Sequence, residues 1–156
     1  MTAAKDIVIL TATYNDWDNF QPFLKSLDAA LGQASLSARV VVIDDGSSFP
    51  TDGTASISQD YDAINQVTAV TLTRNMGQQR AIAIGLGYVA KEMPCDYLVI
   101  MDSDMEDLPE YVPQLVERAA EPNSKIIFAE RTRRANRRTF KVFYGLYKSL
   151  YRMLTG

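Results

Sequence analysis

The chain has 156 residues, of which 47% are hydrophobic and 22% are charged, a composition typical of one globular domain with an ordinary core. This composition excludes the disordered, collagen-like and disulfide-scaffold classes. With no histidine and a single cysteine, Cys95, the chain also lacks the residues for an internal disulfide, the usual zinc sites or a Ser-His-Asp triad. Acid–base or metal chemistry therefore has to come from carboxylates.

The formal net charge of −3 is unevenly distributed along the chain. Residues 1–130 carry 19 acidic and 8 basic side chains, whereas residues 131–156 carry 8 basic side chains and no acidic one. This asymmetry predicts that the basic end meets an anionic partner: a membrane surface, a nucleic acid or a phosphate. The acidic remainder argues against a nucleic acid as the partner of the whole domain. We divide the chain accordingly into a domain, 1–130, and a basic segment, 131–156.

Membrane-spanning and secretory segments are not expected. No stretch approaches the ~20 continuous apolar residues that a membrane-spanning helix needs, and the first residues lack the apolar core of a secretory signal. We therefore expect a cytoplasmic protein, peripheral at the cytoplasmic face of the membrane.

Short apolar runs rich in valine and isoleucine predict strands that are covered on both faces: residues 7–10, 40–43, 69–72, 97–101 and 126–129. Helices are predicted between them, where apolar side chains recur at helical spacing: residues 19–31, 57–65, 78–91 and 109–120. For the first helix, Asp18 is the expected N-cap and Gly32 the expected stop. In the third, we expect Gly85 and Gly87 to permit close packing of the helix.

The alternation of strands and helices predicts a series of βαβ units. The expected fold class is therefore α/β: a three-layer α/β/α arrangement around a mostly parallel sheet, with a Rossmann-like nucleotide-binding half. In such sheets ligands bind outside the carboxyl ends of the strands. The residues that follow the strands are consequently the candidate site residues.

Carboxylates collect in three of the segments that follow strands: Asp16, Asp44, Asp45, Asp102, Asp104, Glu106 and Asp107. Like charges held close together repel each other, and a divalent cation is the economical way to hold them. Oxygen ligands without histidine or cysteine favour Mg²⁺ or Mn²⁺. Asp102, Asp104 and Glu106 alternate along the chain and are the expected metal ligands. The alternative for this Asp-x-Asp sequence is a solvated turn or a helix cap.

Two other segments allow two interpretations each. Residues 44–48, Asp-Asp-Gly-Ser-Ser, form either a turn whose side chains bond their own backbone or a carboxylate site for a base edge or a ribose hydroxyl. Arg74 or Asn75, after the third strand, either stabilises a diphosphate or caps a helix. The sequence contains no Gly-x-x-x-x-Gly-Lys phosphate loop, which weakens ATPase, GTPase and NAD(P) dehydrogenase functions.

Taken in order, four motifs resemble those of the family two nucleotide-sugar glycosyltransferases, inverting enzymes with the GT-A fold: residues 11–16 (Thr-Ala-Thr-Tyr-Asn-Asp), 44–47 (Asp-Asp-Gly-Ser), 74–77 (Arg-Asn-Met-Gly) and 102–104 (Asp-Ser-Asp). The last two are most similar to the polyprenyl-phosphate branch, the dolichol-phosphate mannose synthases and bactoprenol glucosyltransferases. The chain departs from the family pattern at Ala12, Asp16, Glu106 and Leu108, where the family usually has proline, glutamate, glutamine and proline.

The resemblance implies transfer of a sugar from UDP- or GDP-sugar to a polyprenyl (undecaprenyl or dolichyl) phosphate, metal-assisted and inverting. It implies a nucleotide site formed by Ala12, Tyr14, Asp16, Asp44, Asp45, Arg74, Asp102, Ser103 and Asp104. The implied metal ligands are Asp102, Asp104 and Glu106, and Arg131 is expected to meet phosphate. Because family members continue beyond residue 156, we expect the chain to be the donor-binding part of a longer enzyme.

The end of the chain predicts a helix with an aromatic stripe and a basic face over residues 137–156. Such a helix suits the interface of an anionic bilayer. Docking on its own domain is the alternative, and a nucleic acid is not expected as a partner.

The acceptor determines which catalytic residues are needed. A lipid phosphate is largely dianionic at neutral pH and attacks without a base, which accounts for the absence of histidine. Arg131, with Arg133 or Arg134, would hold it by bidentate contacts, while Asp104 would hold the metal. A hydroxyl acceptor would instead require a carboxylate base, Asp107 or Glu110.

Three other functions stay open at this point. The first is a glycan- or protein-directed family two glycosyltransferase of cell-envelope polysaccharide synthesis. The second is a nucleotidyltransferase, which would be expected to carry a glycine-rich opening loop. The third is a non-catalytic nucleotide-binding fragment. Assembly as a homo-oligomer is also left open.

Overall fold

The structure, a computed structural model, describes residues 5–48, 60–122 and 126–130. The elements in chain order are β1 (Ile7–Thr13), α1 (Trp17–Gln33), β2 (Ala38–Asp44), β3 (Ile64–Thr71), α2 (Gln78–Glu92), β4 (Tyr97–Ile100), a short 3₁₀ helix (Pro109–Tyr111) and α3 (Val112–Ala119).

Within the described residues the sheet has four strands in the order β3-β2-β1-β4, and each neighbouring pair is parallel. β1 lies inside the sheet, with Thr13 beside Asp44 of β2 and Leu10 beside Ile100 of β4. This register brings the carboxyl ends of the strands to one edge. The predicted α/β class with a parallel sheet is therefore confirmed.

Helices cover both faces of the sheet, which explains the unbroken apolar run of β1. Ile7 and Ile9 point into a core formed with α1 and α3. Val8 and Leu10 point to the opposite face, into a second core formed with α2. Because successive side chains of a strand alternate between faces, a strand buried on both sides favours consecutive apolar residues, as in residues 7–10.

The two glycines of α2 have different surroundings. A Cβ atom at Gly85 would lie 2.6 Å from Cδ1 of Leu10 and 2.9 Å from Cγ1 of Ile43, so the helix packs on the sheet as the sequence predicts. A Cβ atom at Gly87 would have nothing within 4 Å. The packing interpretation is therefore confirmed for Gly85 and wrong for Gly87.

Both ends of α1 differ from their predictions. The helix begins at Trp17, so the N-cap position belongs to Asp16 and Asp18 lies in the first turn. It also continues past Gly32 to Gln33. The helix can continue because Ser35, with φ 53°, takes the left-handed conformation expected at a glycine stop.

The helix predicted over residues 57–65 is wrong where the structure describes it. Ile64 already belongs to β3, which begins five residues before the predicted strand 69–72. Oδ1 of Asp28, in α1, accepts hydrogen bonds from the backbone N–H groups of Ala63 (2.8 Å) and Ile64 (3.0 Å). A tertiary partner thus takes the donors that a helix would need. Residues 57–59 lie outside the described part of the chain.

The predicted strand at residues 126–129 is wrong as well, since the described residues 126–130 have no regular structure. Ile126 is 73% exposed and Phe128 86% exposed, so the run joins neither a ladder nor a core. An apolar run forms a strand only where a neighbouring strand offers hydrogen-bond partners.

None of the helices in the described ranges has the length and apolarity to cross a bilayer. The segment 131–156, with Arg131, lies outside them.

Candidate functional site

A cleft of about 310 Å³ lies at the carboxyl edge of the sheet. It takes residues from the ends of β1, β2 and β4 and from the start of α2: Ala12, Thr13, Tyr14, Asp16, Asp45, Asn75, Gly77, Gln78, Asp102, Ser103 and Asp104. The lining includes the ends of the neighbouring strands β1 and β4, between which the connections pass to opposite faces of the sheet. This is the topological switch point at which open α/β sheets bind their ligands.

Asp45 fixes the start of α2. It is 2% exposed, and its Oδ1 accepts a hydrogen bond from the backbone N–H of Met76 (2.7 Å) while its Oδ2 accepts one from that of Gly77 (2.8 Å). Backbone donors at a helix N-terminus need such partners. Asp45 therefore lines the cleft with both oxygens already engaged by the backbone.

Asp44 takes part in the turn that follows β2. Its buried Oδ1 accepts hydrogen bonds from the backbone N–H (3.0 Å) and the hydroxyl of Ser47, so the predicted turn is confirmed. Asp44 does not contribute to the cleft lining. Its contact with a nucleotide stays a prediction.

Gly46 brings this turn against the segment after β3. It has φ +73°, and a Cβ atom there would lie 2.5 Å from the carbonyl carbon of Arg74, so only glycine fits. The exposed Arg74 does not line the cleft. Asn75 does, and its Oδ1 accepts a hydrogen bond from the N–H of Gly77 (3.1 Å) in the turn before α2. Gly77 is the N-cap residue of α2, and this helix has no side-chain cap hydrogen bond, so the capping interpretation is not confirmed. Diphosphate binding by Arg74 stays a prediction.

The segment after β1 is tied to the same turn. The backbone N–H of Asn15 donates to the hydroxyl of Ser47 (2.9 Å), and Oδ1 of Asn15 accepts from the N–H of Ser48 (2.9 Å). Asn15 has φ 52°, a left-handed conformation that asparagine tolerates. These contacts hold the neighbouring Tyr14 at the cleft, where its side chain is 46% exposed.

The segment after β4 gathers negative charge. Asp102 is half-buried, and Nε2 of Gln78 donates a hydrogen bond to its Oδ1 (2.6 Å). Burial, followed by the charges of Asp104 and Asp107, raises the pKa of Asp102 above its ordinary value, while the hydrogen bond from Gln78 lowers it. The nearby carboxylates thus favour a neutralising partner at this position.

The cleft offers a pair of carboxylates for a cation. Asp102 and the exposed Asp104 both line it, whereas the exposed Glu106 does not. Within the described ranges no three acidic or other ligating side chains form a ready metal cage. Mg²⁺ commonly binds through one or two carboxylates, with waters and substrate phosphates completing its shell. The pair fits this donor set, and the role of Glu106 stays a prediction.

Three residues of the cleft lining are not among the predicted site residues: Thr13, Gly77 and Gln78. Gln78 is the first residue of α2, and its position after the third strand was an available signal, since helix starts at the carboxyl edge face the ligand. Thr13 is 5% exposed, and its hydroxyl has no hydrogen-bond partner in the described structure. No sequence pattern indicates such an unpaired hydroxyl.

The strand order and the cleft at the switch point define an α/β domain of the GT-A type. A solved structure shares this fold: a mannosyltransferase from Pyrobaculum calidifontis in complex with GDP-Man and Mn²⁺. The TM-score is 0.56 at 18% sequence identity, over 78% of this chain and 34% of that chain.

The chain belongs to glycosyl transferase family 2, whose model matches residues 8–154. It is 32% identical over 118 residues to an undecaprenyl-phosphate 4-deoxy-4-formamido-L-arabinose transferase of Klebsiella pneumoniae strain 342, covering 75% of this chain and 34% of the relative. The transferase of the same name from Pseudomonas fluorescens is 32% identical over 116 residues, covering 73% of this chain and 32% of the relative. The chain thus spans about a third of the length of these relatives.

Proposed function

We propose that this chain is the donor-binding part of a glycosyltransferase that moves a sugar from a UDP- or GDP-sugar to a polyprenyl (undecaprenyl or dolichyl) phosphate, with inversion. The observation that carries the proposal is the pair Asp102 and Asp104 in the cleft of a family 2 domain. The names of the relatives support an undecaprenyl-phosphate acceptor. The ligands of the fold neighbour support a nucleotide-sugar donor with a divalent ion.

The nucleotide binds along the β1 and β2 side of the cleft. Tyr14 offers a half-exposed ring on which a base can stack. Ala12, Asp16 and Asp45 border the same space, and Asp44 and Arg74 are the further residues that we propose for the nucleotide. Both oxygens of Asp45 already accept backbone hydrogen bonds, so its main effect on the donor is to position α2.

Asp102 and Asp104 would hold Mg²⁺ or Mn²⁺. Ser103 lies between them in sequence, is buried and lines the cleft, and it is a further residue that we propose for the donor site. When bound, the ion supplies a Lewis acid for the departing nucleoside diphosphate. The role of these two carboxylates would be to hold the ion at the part of the cleft where the donor diphosphate binds. Glu106 is the third ligand that we propose.

The acceptor phosphate arrives largely ionised at neutral pH, so its oxygen attacks the anomeric carbon without a protein base. We propose Arg131 as the residue that holds this phosphate. The competing function is a glycan- or protein-directed transferase, whose hydroxyl acceptor needs a base. Asp107 is the candidate, because it is half-buried and near enough to Asp102 to raise the pKa of that carboxyl.

Calorimetry with UDP and GDP in the presence of Mn²⁺ tests the donor site. We expect binding that requires the ion, and a loss of at least tenfold in affinity, ~1.4 kcal/mol, in Asp104→Asn. Glu117→Gln is the control, since Glu117 is an exposed carboxylate of α3 outside the cleft lining. Unchanged affinity in Asp104→Asn, or no nucleotide binding by the wild type, would contradict the proposal.

The acceptor class is tested by transfer assays with undecaprenyl phosphate and with sugar acceptors. Transfer to the lipid phosphate with little loss in Asp107→Asn supports the leading function. Transfer only to hydroxyl acceptors, abolished by Asp107→Asn, would establish the competing one.

We also propose that residues 137–156 bind the anionic cytoplasmic membrane face. Co-sedimentation with anionic vesicles should weaken steeply with salt, and glutamine at Arg137, Lys141, Lys148 and Arg152 should abolish it. Binding that is equal on neutral vesicles would contradict an electrostatic contribution.

A further inference from the structure

Gln78 bridges two elements that border the cleft. It is the first residue of α2, and its Nε2 donates a hydrogen bond of 2.6 Å to Oδ1 of Asp102, in the segment after β4. Both side chains line the cleft. The bond therefore joins the helix start to the carboxylate proposed to hold the cation.

The donor end of this bond is firmly held. Asp45 accepts hydrogen bonds from the N–H groups of Met76 and Gly77, the two residues before Gln78. The close approach of Gly46 to Arg74 presses the same segment against the turn after β2. Because the backbone before Gln78 is held in place, the Gln78 side chain can restrict the Asp102 carboxylate to which it donates a hydrogen bond.

An amide is well suited to this position. A lysine or arginine at position 78 would compete with a cation for Asp102, and a carboxylate there would repel the Asp102 carboxylate. The amide of glutamine donates a hydrogen bond without adding charge. The bond uses Oδ1 of Asp102 and restricts rotation of the carboxylate. When a residue that hydrogen-bonds to a metal-ligating side chain is removed, metal affinity typically changes by 10–100-fold.

We propose that Gln78 is a positioning residue that orients the Asp102 carboxylate so that its second oxygen, Oδ2, is available to the divalent cation. This rests on the proposed function in one respect, namely that Asp102 holds the cation. Asp45 acts one step further back, by fixing the backbone from which Gln78 reaches across the cleft.

Gln78→Met tests the proposal, because it keeps the length of the side chain and the helix propensity while removing the amide donor. Gln79→Met is the matched control: the same change one residue along, at an exposed glutamine outside the cleft lining. Binding of Mn²⁺ by the full chain is followed by the loss of the free-ion EPR signal, with GDP and separately with UDP. Thermal unfolding of each metal-free variant is measured alongside.

We expect Gln78→Met to weaken Mn²⁺ binding by about 10–100-fold with an unchanged Tm, and Gln79→Met to match the wild type. A lowered Tm with unchanged Mn²⁺ affinity would mean a merely structural role and overturn the proposal, as would equal affinity and equal Tm. If the wild type itself binds no Mn²⁺ with either nucleotide, the proposed function fails and this assignment fails with it.

Discussion

Thr11 shows at the scale of one residue how little a strand pattern reveals about hydrogen bonding. It is fully buried in β1, and its hydroxyl has no partner within the described part of the chain. A buried polar group without a partner destabilises the folded state. Thr11→Val, which keeps the branched shape, should therefore raise the free energy of unfolding by ~1 kcal/mol.

Urea unfolding measures this change. Thr68→Val, at a half-buried position in β3, is the comparison, and we expect it to change stability by less than ~0.5 kcal/mol. A loss of stability in Thr11→Val would mean that the hydroxyl is paired after all, for example with a bound water.

We expect the Asp102 carboxylate to lower the stability of the metal-free protein, although the proposed cation site needs it. Its pKa in the folded protein is raised by burial and by Asp104 and Asp107, so the folded state binds the proton more tightly than the unfolded chain does. Stability is therefore lost as the pH rises through the window above the ordinary aspartate pKa. In EDTA at pH 7, Asp102→Asn should be more stable than the wild type by about 0.5 kcal/mol, the small scale expected for a partly exposed charge.

Denaturant unfolding at pH 7 and at pH 3 checks this sign. The difference in free energy of unfolding between Asp102→Asn and the wild type should vanish at pH 3, where the carboxyl is protonated in both the folded and the unfolded state. Separately, the variant should lose Mn²⁺ binding. A variant that is less stable than the wild type at pH 7 would contradict the repulsion inferred here.

The positions of the acidic residues could be predicted from the sequence, but their partners could not. The topological rule places Asp45 and Asp102 at the carboxyl edge because each follows a strand. They accept hydrogen bonds from Gly77 and Gln78, which are far away in sequence, so these contacts depend on how two segments approach in space. Local patterns do not encode such contacts.

At the scale of elements, α2 offers a matched pair of substitutions. Gly85→Ala would place a Cβ atom 2.6 Å from Leu10 and 2.9 Å from Ile43, and overpacking of this kind typically costs ~1–3 kcal/mol. Gly87→Ala meets nothing within 4 Å, and alanine is better than glycine in a helix by ~1 kcal/mol. We expect the first change to destabilise the domain and the second to stabilise it.

Chemical unfolding of both variants measures the contrast. Equal effects would mean that α2 does not pack on the sheet at Gly85.

Elements whose signal is local were predictable, and those set by tertiary contacts were not. The apolar core runs of β1 and β2 and the spacing of α1 and α2 are properties of the sequence itself. β3 begins earlier than predicted because Asp28 of α1 binds the backbone of Ala63 and Ile64. The apolar run 126–129 has strand composition without a strand, because composition does not supply a neighbouring ladder.

At the scale of the whole molecule, ligand binding and global stability are linked. The cleft takes residues from the ends of β1, β2 and β4 and from the start of α2, so it exists only when the sheet is formed. A ligand at 100 times its Kd stabilises the folded state by ~2.7 kcal/mol. For a domain of this size we therefore expect Tm to rise by ~5–10 °C.

Calorimetric or fluorescence melting with Mn²⁺ and GDP or UDP measures this rise, and EDTA should reverse it. A nucleotide that raises Tm equally in EDTA would show that the ion is not needed for binding.

The strand order also determines when the cleft is completed during synthesis. Of the four described strands β1 is synthesised before the others, yet it lies inside the sheet between β2 and β4. β2 follows soon, whereas β4 begins only at Tyr97. At roughly 5–20 residues per second, synthesis of the residues between β1 and β4 takes on the order of several seconds. During that interval one backbone edge of β1 has no partner, and the cleft is incomplete until β4 and the residues that follow it are in place.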